Sequence, residues 1–174
     1  MANDDKVRIL QYDRIYKNFI DYKYIPKGED EYYLRNEQSV FLREKWRHLR
    51  AEEIESLVNN KNVATNWDDI LVTDEFDPKM VKRNSFFGLV RIGRIKREVL
   101  EYHDLRVPVG ITDSSIVSCD IGDDVAIHNV HYLANYIISD RCILFNVNEI
   151  STTDHSKFGN GILKEGEDED VRVW

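Results

Sequence analysis

Histidine is the residue type in this chain best suited to move protons near neutral pH, because its ordinary pKa is about 6.5. Three of the five histidines lie near polar residues that could complete a site. His128 and His131 belong to one β-rich segment, and His155 follows in a polar loop. We therefore predict His131, His128 and His155 as candidate catalytic residues. Surface or turn histidines without a catalytic role are the alternative interpretation.

Two asparagines lie close to these histidines in the sequence and are our candidates for substrate binding. Asn135 follows His131 in the β-rich segment, and Asn160 lies in the Gly159–Gly161 turn after His155. A side-chain amide both donates and accepts hydrogen bonds, which suits recognition of a polar substrate. The Gly159–Gly161 segment is more typical of a tight turn than of a phosphate loop, since no Gly-Lys-Ser/Thr follows it.

The sequence contains no clear set of metal ligands, so we predict no metal and name no cofactor. His128 and His131 are three residues apart, and a strand would send their side chains to opposite faces. A corner between them could change that. The acidic run at residues 165–170 lacks the alternating ligands and central glycine of a calcium loop. Cys119 and Cys142 are more typical of buried, inert thiols than of nucleophiles.

The sequence from Ser85 onward repeats every 17 residues. β-branched residues become frequent there, and helix-forming residues become fewer. Ile121–Val130 aligns with Ile138–Val147 position by position. This repeat predicts short parallel strands, three to each repeat, with aliphatic side chains pointing into one narrow core. An ordinary sheet could show similar spacing by chance. The aliphatic anchors, at spacings of five, six and six residues, are Ile116, Ile121, Ile127, Leu133, Ile138, Leu144 and Ile150.

These patterns divide the chain into three zones. Residues 1–61 are predicted as a helical N-terminal region, with a glutamate-rich helix start near Arg50. Residues 62–84 are predicted as a connector rich in turns. Residues 85–174 are predicted as the repeated strands, with a C-terminal loop. The predicted fold class is therefore α+β.

Composition limits the broad class of protein. A length of 174 residues suits one domain, or one domain with an N-terminal extension. The net charge of −8 argues against binding to nucleic acid. The sequence contains no run of about 18 apolar residues, so we predict no membrane span. The charged N-terminus lacks the apolar core of a signal peptide. Two cysteines do not form a disulfide framework. These features predict a cytoplasmic protein that binds neither membrane nor nucleic acid.

The stretch Ile121–Ile127, Ile-Gly-Asp-Asp-Val-Ala-Ile, resembles the hexapeptide repeat of left-handed parallel β-helix proteins. These include acyltransferases, the C-terminal domains of sugar nucleotidyltransferases and γ-class carbonic anhydrases. About two thirds of the chain, residues 46–161, is also similar to the N-terminal part of an uncharacterised family of considerably longer β-helical proteins, mostly from Bacteroidetes and spirochaetes. The matching segments are Leu49–Ile54, Asn66 with Trp67, Phe76–Pro78, Gly88–Gly93, Leu133–Tyr136 and Gly159–Gly161. The resemblance implies a helical N-terminal region followed by a short left-handed parallel β-helix.

The resemblance implies two alternative functions. A hexapeptide-type transferase of acyl or sugar-nucleotide groups would use His131 or His128 as the base on the acceptor. It would bind a nucleotide-sugar or acyl-donor ligand. The other alternative is a non-catalytic β-helical scaffold or assembly module, so whether the chain is an enzyme stays open. The histidine set of a γ-class carbonic anhydrase is not visible. The resemblance also implies a homo-oligomer, with a trimer favoured and a dimer formed through the N-terminal helices as the alternative.

Overall fold

The computed structural model describes residues 7–17, 19–20, 22–38 and 46–152. Two α-helices lie in these residues, α1 at Glu31–Gln38 and α2 at Ala51–Asn59. Single turns of 3-10 helix lie at Tyr12–Ile15, Tyr22–Tyr24, Trp67–Asp69 and Pro78–Met80. The strands are β1 Arg47–His48, β2 Val63–Ala64, β3 Ile70–Val72, β4 Val81–Lys82, β5 Ser85–Phe87, β6 Val90–Ile92, β7 Val99–Tyr102, β8 Leu105–Pro108, β9 Gly110–Thr112, β10 Ser115–Val117, β11 Asp120–Ile121, β12 Ala126–Ala134, β13 Ile137–Ile138 and β14 Ile143–Ser151.

Most strands pair in parallel, in two sheets. One sheet has the order β1-β3-β6-β11-β13, and the other has the order β2-β5-β10-β12-β9-β4, with β14 also beside β12. Strands one repeat apart pair directly, so that Ile116 lies opposite Leu133 and Ile121 lies opposite Ile138. The 17-residue period in the sequence is therefore a period in strand register. Two antiparallel pairs, β1 with β3 and the β7–β8 hairpin, complete the pairing.

The aliphatic anchors of the repeat form the centre of one hydrophobic core. Ile116, Ile121, Ile127 and Leu133 are 0% exposed, and Phe86 packs in the same cluster. Burial of each such side chain contributes roughly 1.5–3 kcal/mol to folding. The core therefore fixes which face of each strand points inward, because a slip of one residue would expose the whole set.

The chain turns at residues with positive φ, which lie between short strands or bend the longer strands β12 and β14. Ser118, Asp124 and Asn129 adopt this conformation, and Arg141 and Asn146 repeat it one period after the last two. Asn and Asp tolerate positive φ better than most residues. The side-chain amide of Asn129 also donates to Oδ1 of Asn146 at 2.8 Å. Corner residues thus keep successive repeats in register.

Helix α2 begins where the glutamate pattern predicts a helix start. The backbone N–H of Arg50 donates to Oε2 of Glu53 at 2.8 Å, which satisfies a donor at the helix N-terminus. Arg47 donates to both oxygens of Glu53 at 2.9 Å. Leu57, 1% exposed, inserts the apolar face of α2 into the core. Helix α2 is thus held at its first turn by Arg47 and along its length by packing.

The predicted fold class is wrong. We expected a helical N-terminal region followed by a short left-handed parallel β-helix. The structure is instead a strand-rich β/α arrangement, 39% strand, whose parallel sheets curl into a half-barrel. The described residues contain neither a helical N-terminal region nor a β-helix. The 17-residue spacing determined which residues point inward and which strands pair, but not how the sheets close.

The N-terminal residues show why the helical prediction failed there. Val7 and Ile9 are fully exposed, so a helical face that contained them would bury no apolar area at these two positions. A short helix is marginal in water unless its apolar face packs against another part of the protein.

The strands between residues 62 and 84 join the same sheets as later strands, with β2 beside β5, β3 beside β6 and β4 beside β9. None of the helices in the described residues has the length and apolar character needed to cross a membrane.

Candidate functional site

His128 lies on β12 at the floor of a groove under the projecting β7–β8 hairpin. We call this the hairpin groove. The hairpin is an insertion between β6 and β9, because Phe86 and Ile116 pair across 30 residues instead of 17. An insertion of this kind covers part of the regular surface and creates concave space. The groove is lined by Leu105, Arg106, Val107, Pro108, Thr112, Asp113, His128, Asn129 and Phe145.

Both ring nitrogens of His128 have partners within the chain. Nε2 lies 2.7 Å from the carbonyl oxygen of Pro108, and Nδ1 lies 2.9 Å from Oγ1 of Thr112. A carbonyl oxygen only accepts, so Nε2 carries the proton. In the neutral ring, Nδ1 then accepts from the Thr112 hydroxyl. His128 is 8% exposed, so a substrate must displace Thr112 before Nδ1 can act as a base.

The charged residues of the hairpin groove pair with each other or with neighbouring side chains. Arg83 donates to both oxygens of Asp113, at 2.6 and 2.7 Å. These hydrogen bonds hold the pKa of the Asp113 carboxyl below its usual value, so Asp113 is ionised at neutral pH. Arg106 forms an ion pair with Glu101 across the hairpin. The groove therefore presents these charges already paired.

The other predicted catalytic residues do not join His128. His131 lies three residues further along β12, is exposed, and does not line the hairpin groove. The corner at Asn129 separates the two histidines. His155 and the predicted substrate-binding Asn160 lie outside the described residues. Within the described part of the chain, no group of three or more His, Cys, Asp or Glu side chains could hold a metal ion.

The predicted substrate-binding residue Asn135 lines a second cavity, beneath an N-terminal strap. We define the strap as the described residues between Tyr12 and Gln38, and we call the cavity the strap pocket. The Tyr12 ring lies 6.4 Å from the Phe87 ring, and Oγ of Ser118 donates to the carbonyl oxygen of Tyr16 at 3.4 Å. The strap pocket is lined by Tyr16, Phe19, Ile20, Glu31, Tyr32, Arg35, Gln38, Ser118, Asn135, Tyr136 and Ile137.

A buried ion cluster fastens the strap to the sheet. Asp120 is 0% exposed and accepts hydrogen bonds from Arg91 and Arg35. Arg91 donates from two nitrogens, one to each oxygen of Asp120, so this pair is already neutral. Arg35 adds a second guanidinium and also donates to the carbonyl oxygen of Leu89 at 2.8 Å. Together the three side chains carry a surplus positive charge, which Arg35 contributes.

Sequence reasoning missed Arg35, Asp120 and Glu31. Arg35 meets Asp120 across 85 residues, and no local pattern predicts so distant a contact. Arg91 and Asp120 occupy paired register positions on β6 and β11, but the hairpin insertion lies between them, so the 17-residue repeat does not predict their pairing. Opposite charges between aliphatic anchors on neighbouring strands indicate a buried ion pair.

Comparison with known proteins shows the family. Residues 46–170 match the family described as Domain of unknown function (DUF4954), and the chain belongs to that family. The chain is also 46% identical over 168 residues to an uncharacterized protein of Treponema pallidum (strain Nichols). The alignment covers 97% of this chain but 23% of the relative. No solved structure matches. The expected uncharacterised bacterial family is thus confirmed, and membership of the left-handed β-helix superfamily is not.

Proposed function

We propose that this chain is a non-catalytic scaffold or assembly module that associates through the open edge of β14. Strand β14 pairs with β12 along one side. Within the described residues, no strand pairs with its other side. Strand β14 spans nine residues with a corner at Asn146, and the edge that no described strand covers offers backbone donors and acceptors to another strand. This open edge is the observation that carries the proposal.

The hydrogen-bond pattern identifies the backbone groups at the open edge. The N–H of Ala126 on β12 donates to the carbonyl oxygen of Cys142, immediately before β14. Backbone groups of successive residues in a strand alternate between its two sides. Leu144 therefore directs its N–H towards β12, whereas Ile143 and Phe145 direct theirs towards the open side. Phe145 is also 49% exposed, so an apolar side chain accompanies the free edge.

Among the described residues, the core side chains of β14 lack the cover that their equivalents on β12 have. Ile127 and Leu133 on β12 are 0% exposed. Their register partners on β14, Leu144 and Ile150, are only partly buried although they occupy the same core positions. A further strand beside β14 would bury them, and each would gain hydrophobic free energy in proportion to the area covered.

The histidine geometry supports a scaffold over an enzyme. His128 is enclosed, and both of its ring nitrogens are hydrogen-bonded within the chain. His131 lies on the surface, outside the hairpin groove. A general base needs a free lone pair within reach of the proton it removes. Of the two predicted catalytic histidines that the structure describes, His128 has no free lone pair and His131 lies outside the groove.

The partner in this proposal is a second copy of the chain. Two β14 edges related by a two-fold axis pair in antiparallel orientation and form a closed dimer. The trimer implied by the resemblance stays a prediction, and the same measurement distinguishes it from a dimer.

Sedimentation velocity from about 1 to 100 µM tests the proposal, since edge pairing is concentration-dependent. The key variant is Phe145→Pro, which removes an outward N–H and leaves the β12 pairing intact, because proline is tolerated at such edge positions. Phe145→Val is the matched control that keeps this N–H. We expect dimers for the wild type and Phe145→Val, and monomers for Phe145→Pro with an unchanged circular dichroism spectrum. A wild type that stays monomeric, or a dimeric Phe145→Pro, would refute the proposal.

A second candidate function is transfer of an acyl or sugar-nucleotide group, with His128 as the base. It is supported by the hairpin groove and by the hydrogen bond between His128 and the Thr112 hydroxyl. Incubation with acetyl-CoA and UDP-N-acetylglucosamine as donors and with glucosamine, whose amine and hydroxyls can accept either group, tests it, with readout of free thiol and free UDP. A transferase would release either product, and His128→Asn would abolish release. Rates equal to the buffer control would contradict this candidate.

A further inference from the structure

The strap pocket has the composition of a small-molecule site. Its walls are mostly aromatic and aliphatic, contributed by the strap on one side and the sheet on the other. A few polar groups interrupt these walls, chiefly Glu31, Arg35 and Asn135. Ligand pockets commonly combine an apolar lining with a small number of placed polar groups. This pocket is separate from the open edge of β14, so the inference does not rest on the proposed function.

The positive group of the pocket, Arg35, is not neutralised by its protein partner. Arg91 already balances Asp120 through two nitrogens, so the charge of Arg35 is in surplus. The Arg35 side chain is only 11% exposed, and a guanidinium held mostly out of water favours an anionic partner. Three of its five N–H groups donate to Asp120 and Leu89, and the other two have no hydrogen-bond partner among the described residues and can donate to a ligand.

The negative group of the pocket, Glu31, also keeps free bonding capacity. Its Oε2 accepts the backbone N–H of Phe19 at 2.8 Å. Its second oxygen has no hydrogen-bond partner among the described residues. Glu31 and Arg35 lie one turn apart on α1, yet they form no ion pair with each other in the described part of the chain. Residues at this spacing often pair directly. The strap pocket is therefore lined by one carboxylate and one guanidinium that do not pair with each other.

We propose that the strap pocket binds a free α-amino acid with an apolar side chain. The ligand ammonium would donate to Glu31, and the ligand carboxylate would accept from Arg35. The apolar side chain would pack against Phe19, Tyr32 and Ile137. The Asn135 amide, which has no side-chain hydrogen bond among the described residues, supplies a further donor or acceptor. A zwitterion satisfies both charges at once, whereas a simple acid or amine satisfies only one.

Isothermal titration of the whole chain with L-leucine and L-phenylalanine tests the proposal. Two leucine analogues each remove one charge, because 4-methylpentanoate lacks the ammonium and 3-methylbutylamine lacks the carboxylate. We expect the amino acids to bind and each analogue to bind at least about tenfold more weakly, since each loses a charge-assisted hydrogen bond. No binding of either amino acid at about 10 mM, or equal binding of leucine and both analogues, would overturn the proposal.

The variant Glu31→Gln separates ligand recognition from folding of the strap. Its amide oxygen can still accept the N–H of Phe19, while its negative charge is gone. We expect leucine affinity to fall about tenfold and 4-methylpentanoate affinity to stay unchanged. Glu37→Gln, on the same helix but outside the pocket, is the matched control and should leave both affinities unchanged. Equal leucine affinities for Glu31→Gln and the wild type would overturn the assignment of Glu31.

Discussion

Replacement of Asp120 by Asn is the perturbation that most sharply tests how the strap is held. Asn has nearly the shape of Asp, so packing is conserved and only charge and one acceptor change. The side chain at this position is 0% exposed and lies between Arg91 and Arg35. The substitution leaves two guanidinium groups without a counter-charge. It also replaces one accepting oxygen by an amide nitrogen, which donates hydrogen bonds as the arginine nitrogens do.

The expected cost follows from this geometry. Removing one partner of a buried ion pair costs about 3–5 kcal/mol, because the remaining charge is left uncompensated. Of the two guanidinium groups that Asp120→Asn leaves without a counter-charge, that of Arg91 is the more deeply buried, since its side chain is only 5% exposed. Arg35→Met should cost less, about 1–3 kcal/mol, because the Asp120–Arg91 pair stays neutral and intact. The result that tests the description of the cluster is therefore which of the two variants loses more free energy of unfolding.

Urea unfolding followed by circular dichroism measures both changes. A loss of 3–5 kcal/mol corresponds to a fall in the midpoint of roughly 2 M urea for a chain of this size. Asp104→Asn, at an exposed position in the hairpin turn, is the matched control and should stay within about 0.5 kcal/mol of the wild type. A loss below about 1 kcal/mol for Asp120→Asn, or a larger loss for Arg35→Met, would refute the description of the cluster.

Three further predictions concern other parts of the chain. Burial acts to raise the pKa of Glu53, but the hydrogen bonds from Arg47 and from the backbone of Arg50, together with the charges of both arginines, outweigh it, so the pKa is lowered in the folded protein. Ionised Glu53 therefore stabilises the fold at pH values above its pKa in the unfolded chain, and this contribution is lost as the pH falls through its pKa in the folded protein. Urea unfolding of Glu53→Gln should show a lower free energy of unfolding than the wild type at pH 7, and the difference should shrink in acid. Burial raises the pKa of Cys119 to about 11, so iodoacetamide should label Cys142 in the native protein and Cys119 only after unfolding, as mass spectrometry would show. Gly110 has φ of 143°, and a Cβ there would lie 2.5 Å from a backbone oxygen, so Gly110→Ala should destabilise the fold by about 2 kcal/mol or more in thermal unfolding. Native labelling of Cys119, a pH-independent effect of Glu53→Gln, or an unchanged midpoint for Gly110→Ala would each contradict its prediction.

The sequence repeat predicted strand register well because aliphatic spacing reports directly on burial. Ile116 and Ile121 were expected to lie opposite Leu133 and Ile138, and they do. The start of α2 near Arg50 was also predicted, since its glutamates suit a helix N-terminus. Both results depend on local patterns, which a single sequence contains.

The closure of the sheets and the N-terminal structure could not be predicted in the same way. Closure depends on the angles at corner residues such as Asn129 and Asn146, and hydrophobic spacing carries no information about those angles. Residues 1–61 were predicted as a helical region, yet the apolar residues Val7 and Ile9 within it are exposed. The prediction that the strands close into a left-handed β-helix came from the resemblance to the hexapeptide repeat, and the spacing of the aliphatic residues alone does not specify that closure.

The candidate site was only partly accessible from the sequence. Asn135 was predicted as a binding residue and lines the strap pocket, but the histidines predicted beside it lie elsewhere or outside the described residues. The partners of Asn135 in the pocket, Glu31 and Arg35, come from a segment about a hundred residues earlier in the chain. Tertiary packing alone brings these residues together, so proximity in sequence was a poor guide to the site.

Hydrogen exchange at the edge of β14 tests the central claim most directly. Amides of Ile143 and Phe145 should exchange quickly in dilute protein and become protected as the concentration rises, because another strand then pairs with them. The amide of Leu144, which faces β12, should be protected throughout. Protection of Leu144 alone at every concentration would contradict assembly through this edge.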